Sequence, residues 1–595
     1  MLPLLKSQIN IKEKTIKTFG GINTTDNFVT GELEQSENMS SESFPSLCTC
    51  NGKTLVFETD RIINGITSFE GWVCTSYSAD KSHIWLTFNG TDYEFTQHST
   101  SDDFTQNRKM ASLSDCILII PDNVVFFTNS RSFSKICISE KHTNKTAVSK
   151  FKTEAPESSL FDNYKVDHVA YLKHNKVTCR SVEYSYKSDY NFYYSSFDPT
   201  LKPGDVITLK GTVSSPYSDD YPEFYTYRRK IAAGMTLKIK SVVCETHDTP
   251  AGEITEITEL AFDDNSIDTG GFRSIYFESI TVERGMPKLE NICSFDNRIW
   301  ATSGREIYAS KLSDASEWND FSADEYGTLP YACFSTLAQT EGDFTAVIPF
   351  ENRIYAFKEN SVHKLYGDKP DEFTLYSERI TGVKKNGSDT IDSCADSLIY
   401  AGSDAIYLYR DNYPVKISRK LGLYPKVISA RATGDKYYAL CEDTLGKSIY
   451  IFDTEKSIWH KHEAEADSMF LCEYANRVYE AGGGKIYQIE AVNSSEKVKW
   501  SFKIKFDDKL FGKKVHGQLL IKYTLAKGAS FTVQPIFDDG SKGEICAFYH
   551  DETQSGECQS FLTQKRCLQS VLEFKGTGYF TLKSIKLKYY CGSEI

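Results

Sequence analysis

The chain has 595 residues, 40% apolar and 25% charged, and its 68 basic against 81 acidic side chains leave a net charge of −13. At ~150 residues per domain this predicts about four domains, or fewer for an all-β chain. The acidic balance excludes a general nucleic-acid binder, which needs a basic face to displace counterions, though it leaves room for one local basic patch.

Residues 1–45 read as a polar N-terminal arm with few core signals, ordered by docking on a neighbour or on the propeller itself. Their opening, MLPLLKSQINIKEK, has no basic n-region and no sustained apolar stretch, so it predicts no signal peptide and synthesis in a cytoplasm. No apolar run approaches the ~20 residues of a membrane-spanning helix.

Beyond the arm, helical periodicity is nearly absent. Short alternating segments rich in Val, Ile, Tyr, Phe and Thr, such as Ile84-Trp-Leu-Thr-Phe88 and Val124-Val-Phe-Phe127, end at Gly, Asn, Asp or Ser. That is the pattern of an all-β protein. Residues 46–159 predict the first blades of a β-propeller, one with strands near 54–57, 70–76, 83–88 and 92–96 and a second over 109–150. Residues 160–286 break the pattern and predict a small inserted β-barrel.

A repeat then runs through residues 287–491. Asn297-Arg-Ile-Trp300, Asn352-Arg-Ile-Tyr355, Ser397-Leu-Ile-Tyr400, Lys436-Tyr-Tyr438 and Asn476-Arg-Val-Tyr479 are each followed by a turn and a second strand ending in Ile-Tyr or a close equivalent. Units of roughly 40 to 50 residues with about four strands each predict propeller blades, seven in all, with six or eight as alternatives. One twisted sheet cannot bury both faces alone, and radial stacking buries them against neighbours. The 37 Phe, 36 Tyr and 6 Trp suit the wedges between blades. Residues 492–595 carry longer alternating strands and predict a C-terminal β-sandwich.

No catalytic motif for hydrolysis, phosphate binding or dinucleotide binding stands in its required setting. Gly482-Gly-Gly-Lys485 lacks a following helix and reads as a β-turn. His460 and His462, two apart on a strand, share a face but have no third ligand in view and read as polar side chains exposed to solvent. The acidic pairs Asp219-Asp220, Asp263-Asp264 and Asp538-Asp539 read as turns rather than as the two carboxylates of a glycosidase. The sixteen Cys are scattered without a CxxC, Cys48-Thr-Cys50 being the only close pair, and most read as small buried thiols in a reducing compartment. Asn89, Asn144, Asn386 and Asn493 head Asn-x-Ser/Thr triplets that carry no meaning without secretion. No catalytic residue, metal or cofactor is assigned. Two surfaces are candidates for contact: the exposed-aromatic cluster Tyr186, Tyr190, Tyr193 and Tyr194 for a partner or glycan, and the basic face Lys583, Lys586 and Lys588 of the last strand.

Several stretches resemble a known group. They are Phe19-Gly-Gly-Ile-Asn23 with Glu37-Asn-Met39 and Phe44-Pro45, Asn297-Arg-Ile-Trp-Ala301 with Glu306-Ile-Tyr-Ala-Ser310, and His363-Lys-Leu-Tyr-Gly367 with Lys369-Pro370. Together with the C-terminal Tyr589-Tyr-Cys-Gly-Ser-Glu594, these resemble β-propeller structural proteins encoded in tail modules of phages and prophages of Gram-positive bacteria. They are also similar to the nozzle (tail tubular protein B) proteins of short-tailed phages. The resemblance implies a non-enzymatic virion protein of the tail or neck, made in the host cytoplasm and built into a homo-oligomeric ring. Its implied partners are other tail or neck proteins and, transiently, genomic DNA in the lumen. An acidic lumen would keep that DNA from sticking. The alternative is a tail-tip protein that binds a host surface receptor or glycan through the Tyr cluster.

Overall fold

A computed structural model describes the chain from Ile11 to Cys591. Outside the described residues lie 1–10, 100, 102, 137–147, 150–169, 180–181, 187–188, 194–195, 198–200, 202, 204–205, 215–228, 250–251, 263–274, 285–288, 319, 321–327, 411, 423, 444–445, 493–496, 507–512, 551 and 592–595. The fold is all-β: a seven-bladed propeller, an inserted barrel and a β-sandwich.

Six blades are sequential four-stranded antiparallel sheets at 62–94 (blade I), 109–135 (II), 291–337 (III), 346–378 (IV), 392–416 (V) and 426–463 (VI). Blade VII takes three strands from 468–488 and its outermost strand, Thr54–Glu58, from before blade I. The sequence reading placed 54–57 in the first blade; the segment instead closes the last one. An outer and an inner blade strand alternate alike, so periodicity cannot tell them apart. The innermost strands touch neighbour to neighbour right round the ring, with a 3-10 turn (Ser388–Thr390) between blades IV and V.

Turn chemistry explains the repeated motif. In blades III, IV and VII the first hairpin has a two-residue turn, Asp296-Asn297, Glu351-Asn352 and Ala475-Asn476, with positive φ at both positions. Such turns match the right-handed twist of the strands, and Asn tolerates the left-handed region better than most residues. The Asn-Arg pair is therefore the end of a turn and the start of a buried strand. The following apolar residues fill the wedges. One core cluster joins each pair of adjacent blades, for example Val73 and Leu86 of blade I with Ile117 and Phe126 of blade II. Tyr355, Tyr400, Tyr409 and Tyr437 are fully buried there. Each large side chain so buried is worth ~1.5–3 kcal/mol before the entropy of ordering is charged against it.

Between blades II and III stands the inserted domain. Strands Ala170–Lys173, Lys176–Cys179, Val206–Ser214, Met235–Thr249, Gly252–Phe262 and Ile275–Arg284 pair antiparallel in a closed cycle around Leu172, Ile207, Leu237, Leu260 and Phe277. Among the described residues these strands close a six-stranded barrel, with the short strands Val148–Ser149 and Ser196–Phe197 added to the same sheet.

The sandwich is built from both ends of the chain. Its two sheets include Lys499–Phe506, Lys514–Leu525, Ser530–Phe537, Gln554–Phe561, Ser570–Thr577 and Phe580–Cys591. The segment read as an arm supplies Ile11–Ile16, which pairs with Phe580–Cys591, and Leu33–Glu37, which pairs with Lys499–Phe506. Ile16, Phe19, Leu33, Met39 and Leu47 enter the sandwich core beside Trp500, Phe574 and Leu587. The polar residues between them hid these apolar positions from a reading by composition.

Candidate functional site: axial cavity, arm junction and sandwich face

Each innermost strand, or the turn leading into it, sends side chains toward the propeller axis. Ile66, Lys109, Asn291, Ile348, Asp389, Arg431 and Phe470, one from each blade, line a cavity of about 170 Å³. That is space on the scale of ordered waters, each needing ~10–15 Å³ of such volume, and not of a nucleic-acid strand. The side chains of Arg108, Lys109, Asp392 and Arg431 are held within the wall. Lys109 Nζ donates to Glu290 O at 2.9 Å and to Asn291 Oδ1 at 2.8 Å, and burial holds its pKa below the ordinary lysine range. Arg431 donates to Ala430 O at 2.6 Å. Asp392 accepts from the N–H groups of Ala432 and Ser393, both at 2.8 Å, while burial pushes its carboxyl up. At the rim, Arg108 and Asp122 form a bidentate pair with both side chains fully buried. Arg108 also donates to Phe104 O and Gln106 O at 2.7 and 3.2 Å, so one guanidinium ties the loop after blade I to a turn of blade II. Backbone partners on this scale fix blades to one another.

The second cluster lies where the N-terminal segment crosses blade VI. His460 and His462 sit on its outermost strand, Ile458–Glu463, and both are buried. The pair is therefore not the exposed polar pair that the sequence predicts. The segment around Asn38 covers the strand: Asn38 N–H donates to Lys461 O at 2.8 Å, Asn38 Oδ1 accepts from Glu463 N–H at 3.0 Å, and Met39 O lies 3.1 Å from His462 Nε2. Ser41 donates to Asp453 at 2.9 Å, and Lys436 pairs with Glu42. Neither ring nitrogen of His460 has a hydrogen-bond partner, and burial pushes its pKa down to about 3. No sequence signal places residues 38–42 over this strand, because the two are far apart in the chain. Among the described residues, no group of three His, Cys, Asp or Glu side chains is placed to hold a metal ion.

The basic face carries a carboxylate at its centre. On Phe580–Cys591, Lys586 and Lys588 project with Glu13, whose strand pairs Glu13 opposite Lys588 and Thr15 opposite Lys586. Lys586 Nζ is 2.6 Å and Lys588 Nζ 3.5 Å from the Glu13 carboxylate. The Lys586 hydrogen bond draws the Glu13 pKa below the usual range. Lys583 is exposed and donates to Ser555 Oγ at 2.8 Å. Of the Tyr cluster, Tyr186 and Tyr193 end and Tyr190 lies within a two-stranded hairpin, Val182–Tyr186 with Asp189–Tyr193, which pairs with no other described strand. Tyr194 lies outside the described residues, as do Asp219-Asp220, Asp263-Asp264, Asn144 and Asn493.

The remaining turn readings are matched by the geometry. Asp539 Oδ1 accepts from Ser541 N–H at 3.1 Å, and Asp538 from Leu568 N–H at 2.8 Å. Gly482-Gly-Gly484 is the hairpin turn of blade VII, where a Cβ on Gly484 would overlap Thr59 O just past the closing strand. Cys48 and Cys50 are buried, and burial pushes the Cys50 thiol up. No helix of the described residues is long and apolar enough to cross a membrane.

No family model matches the sequence, and no curated protein matches it. Solved structures resemble it at the level of fold. A catalytically inactive virginiamycin B lyase from Staphylococcus aureus, crystallised with quinupristin, aligns over 74% of this chain and 98% of its own at 10% identity and a TM-score of 0.32. Hsv2 of Kluyveromyces marxianus aligns over 40% of this chain and 84% of its own at 11% identity and a TM-score of 0.25. An exo-β-1,3-galactanase from Phanerochaete chrysosporium aligns over 49% of this chain and 96% of its own at 9% identity and a TM-score of 0.17. Two of these three are enzymes; at such identities nothing of their chemistry carries over to this chain.

Proposed function

We propose that the chain is a non-catalytic structural protein of a phage virion, built into the tail or neck as a subunit of a homo-oligomeric ring through which DNA passes. One observation carries the reading. The ionisable groups around the propeller axis described above are bonded within the blade walls, whereas the sandwich, which locks both ends of the chain together, leaves strand edges facing outward. A molecule arranged this way invests its polar groups in rigidity and its surface in assembly. The axial cavity is too small for DNA, so the conduit in this reading is the space enclosed by several subunits. The resemblance in the Asn-Arg-Ile-Trp and Ile-Tyr-Ala-Ser stretches supports the same class.

The second reading, a receptor- or glycan-binding protein of the tail tip, draws on the hairpin bearing Tyr186, Tyr190 and Tyr193, since sugars stack on aromatic faces. Binding of the isolated protein to host cells, expected of a tail-tip protein and not of a ring subunit, separates the two, and quantitative mass spectrometry of purified particles tests the virion class they share. A ring subunit is present at one fixed copy number relative to the portal and resists salt washing. Absence from purified particles contradicts both readings.

A further inference from the structure

One sheet of the sandwich has two strands whose outer edges pair with no described strand: Ile11–Ile16 on one side, next to the short pair Met39–Ser40 and Leu47–Thr49 that extends the same side, and Gln554–Phe561 on the other. Between them stand Phe580–Cys591 and Lys514–Leu525. Every neighbouring pair in this row is antiparallel, so the two edge strands run in opposite directions. A second copy in the same orientation therefore brings its Ile11–Ile16 strand antiparallel to Gln554–Phe561 of the first. Exposed edges of this kind template pairing with another chain.

The backbone groups fit as well. Leu562 N–H donates to Gly517 O at 2.9 Å, across the Lys514–Leu525 strand. By the two-residue alternation of an antiparallel ladder, the N–H and C=O groups of Phe561, Gln559 and Glu557 point away from it, to the free edge. Carrying that alternation through the register of the two central strands turns the groups of Ile11, Glu13 and Thr15 to the opposite free edge. Phe561 lies opposite Gln518, Gln518 opposite Lys588, and Lys588 opposite Glu13, so both sets face the same side of the sheet.

Side chains then select the register. Phe561 is 72% exposed and Ile11 54%, the large apolar side chains these two edges leave in water. Setting Phe561 opposite Ile11 covers both, and it places Gln559 opposite Glu13 and Glu557 opposite Thr15. A two-residue slip one way opposes Glu557 to Glu13; a slip the other way opposes Phe561 to Glu13. Like charges directly opposite destabilise a ladder, as does an apolar ring against a carboxylate.

We infer that the Gln554–Phe561 edge of one subunit pairs with the Ile11–Ile16 edge of a second copy, with Phe561 opposite Ile11, so that the sandwich sheet continues from subunit to subunit. The contact is head-to-tail, and it closes into a ring when the rotation per subunit divides a full turn. It rests on the ring reading of the function and names the surface that reading requires.

The test uses the full chain. In Ile11→Cys with Phe561→Cys, opposed Cα atoms at ~5.5 Å lie within disulfide reach. Mild oxidation should give a ladder of covalent multimers ending at one size, absent from either single variant. Gln559→Pro removes an N–H that points to the free edge and leaves the internal ladder intact, so it should fold with an unchanged far-ultraviolet spectrum. It should also raise the concentration for half-assembly about tenfold or more. Assembly of the wild-type chain into a closed oligomer, without cross-linking and with no effect of Gln559→Pro, overturns this interface and leaves the ring standing. A wild-type chain that stays monomeric at all accessible concentrations overturns both.

Discussion

Phe57, ahead of the first blade, stands opposite Ile486 in the last one, and this pairing closes the propeller. Its ring meets Trp72 at 4.9 Å and packs on the cluster that joins blades VII and I through Phe470, Tyr479 and Cys74. The same segment continues from the sandwich strands, so closure of the propeller and assembly of the sandwich share one stretch of chain.

Phe57→Ala should destabilise the propeller by ~2 kcal/mol, below the range for a fully buried Phe because this ring is only partly covered. Urea unfolding followed by tryptophan fluorescence reads it, with Trp72 as a reporter at the joint. An unchanged midpoint would mean that the closing strand contributes little.

Arg108→Met should cost more, ~3 kcal/mol or above, because it strands the buried Asp122 carboxylate without its partner. Replacing both, Arg108→Met with Asp122→Leu, should recover much of the loss. The double-mutant cycle in urea gives the coupling, and a value near zero would contradict the assignment of Arg108 and Asp122 as a tightly coupled buried pair.

The pH dependence follows from His460. Its folded pKa, about 3, lies below the ordinary 6.5, so the unfolded chain binds the extra proton between these values. The stability it supports is present above pH 6.5 and is lost as pH falls toward 3, with a slope of up to ~1.36 kcal/mol per pH unit for one proton. His460→Leu should flatten the stability–pH profile in that window by about one proton. An identical slope in the variant would show that His460 is not buried neutral beneath residues 38–42.

Glu13→Gln should unmask the Lys586 and Lys588 charges. Retention on a heparin column at low salt should rise, and the dependence of log affinity on log salt should steepen by ~0.9 if one more anionic contact forms. No change would mean that the lysines on this face do not act together on an anion.

What the sequence discloses here is local. Strand alternation and turn residues disclose the all-β class, the blades and the barrel, because each is written within a few tens of residues. Blade VII and the sandwich are completed by Thr54–Glu58, Ile11–Ile16 and Leu33–Glu37, whose partners lie hundreds of residues away, and one strand's pattern does not name its partner. For the same reason the lysine face was legible while Glu13 at its centre was not. The His460–His462 pair was legible as a motif, but its burial depends on Asn38 and Met39, which no spacing rule connects to it.

The central claim, a subunit built into a particle, is tested most directly by electron microscopy of phage particles labelled with an antibody to this protein. The account predicts label at a fixed ring between the capsid and the distal tail. Label confined to the tip, or particles that carry none, would contradict it.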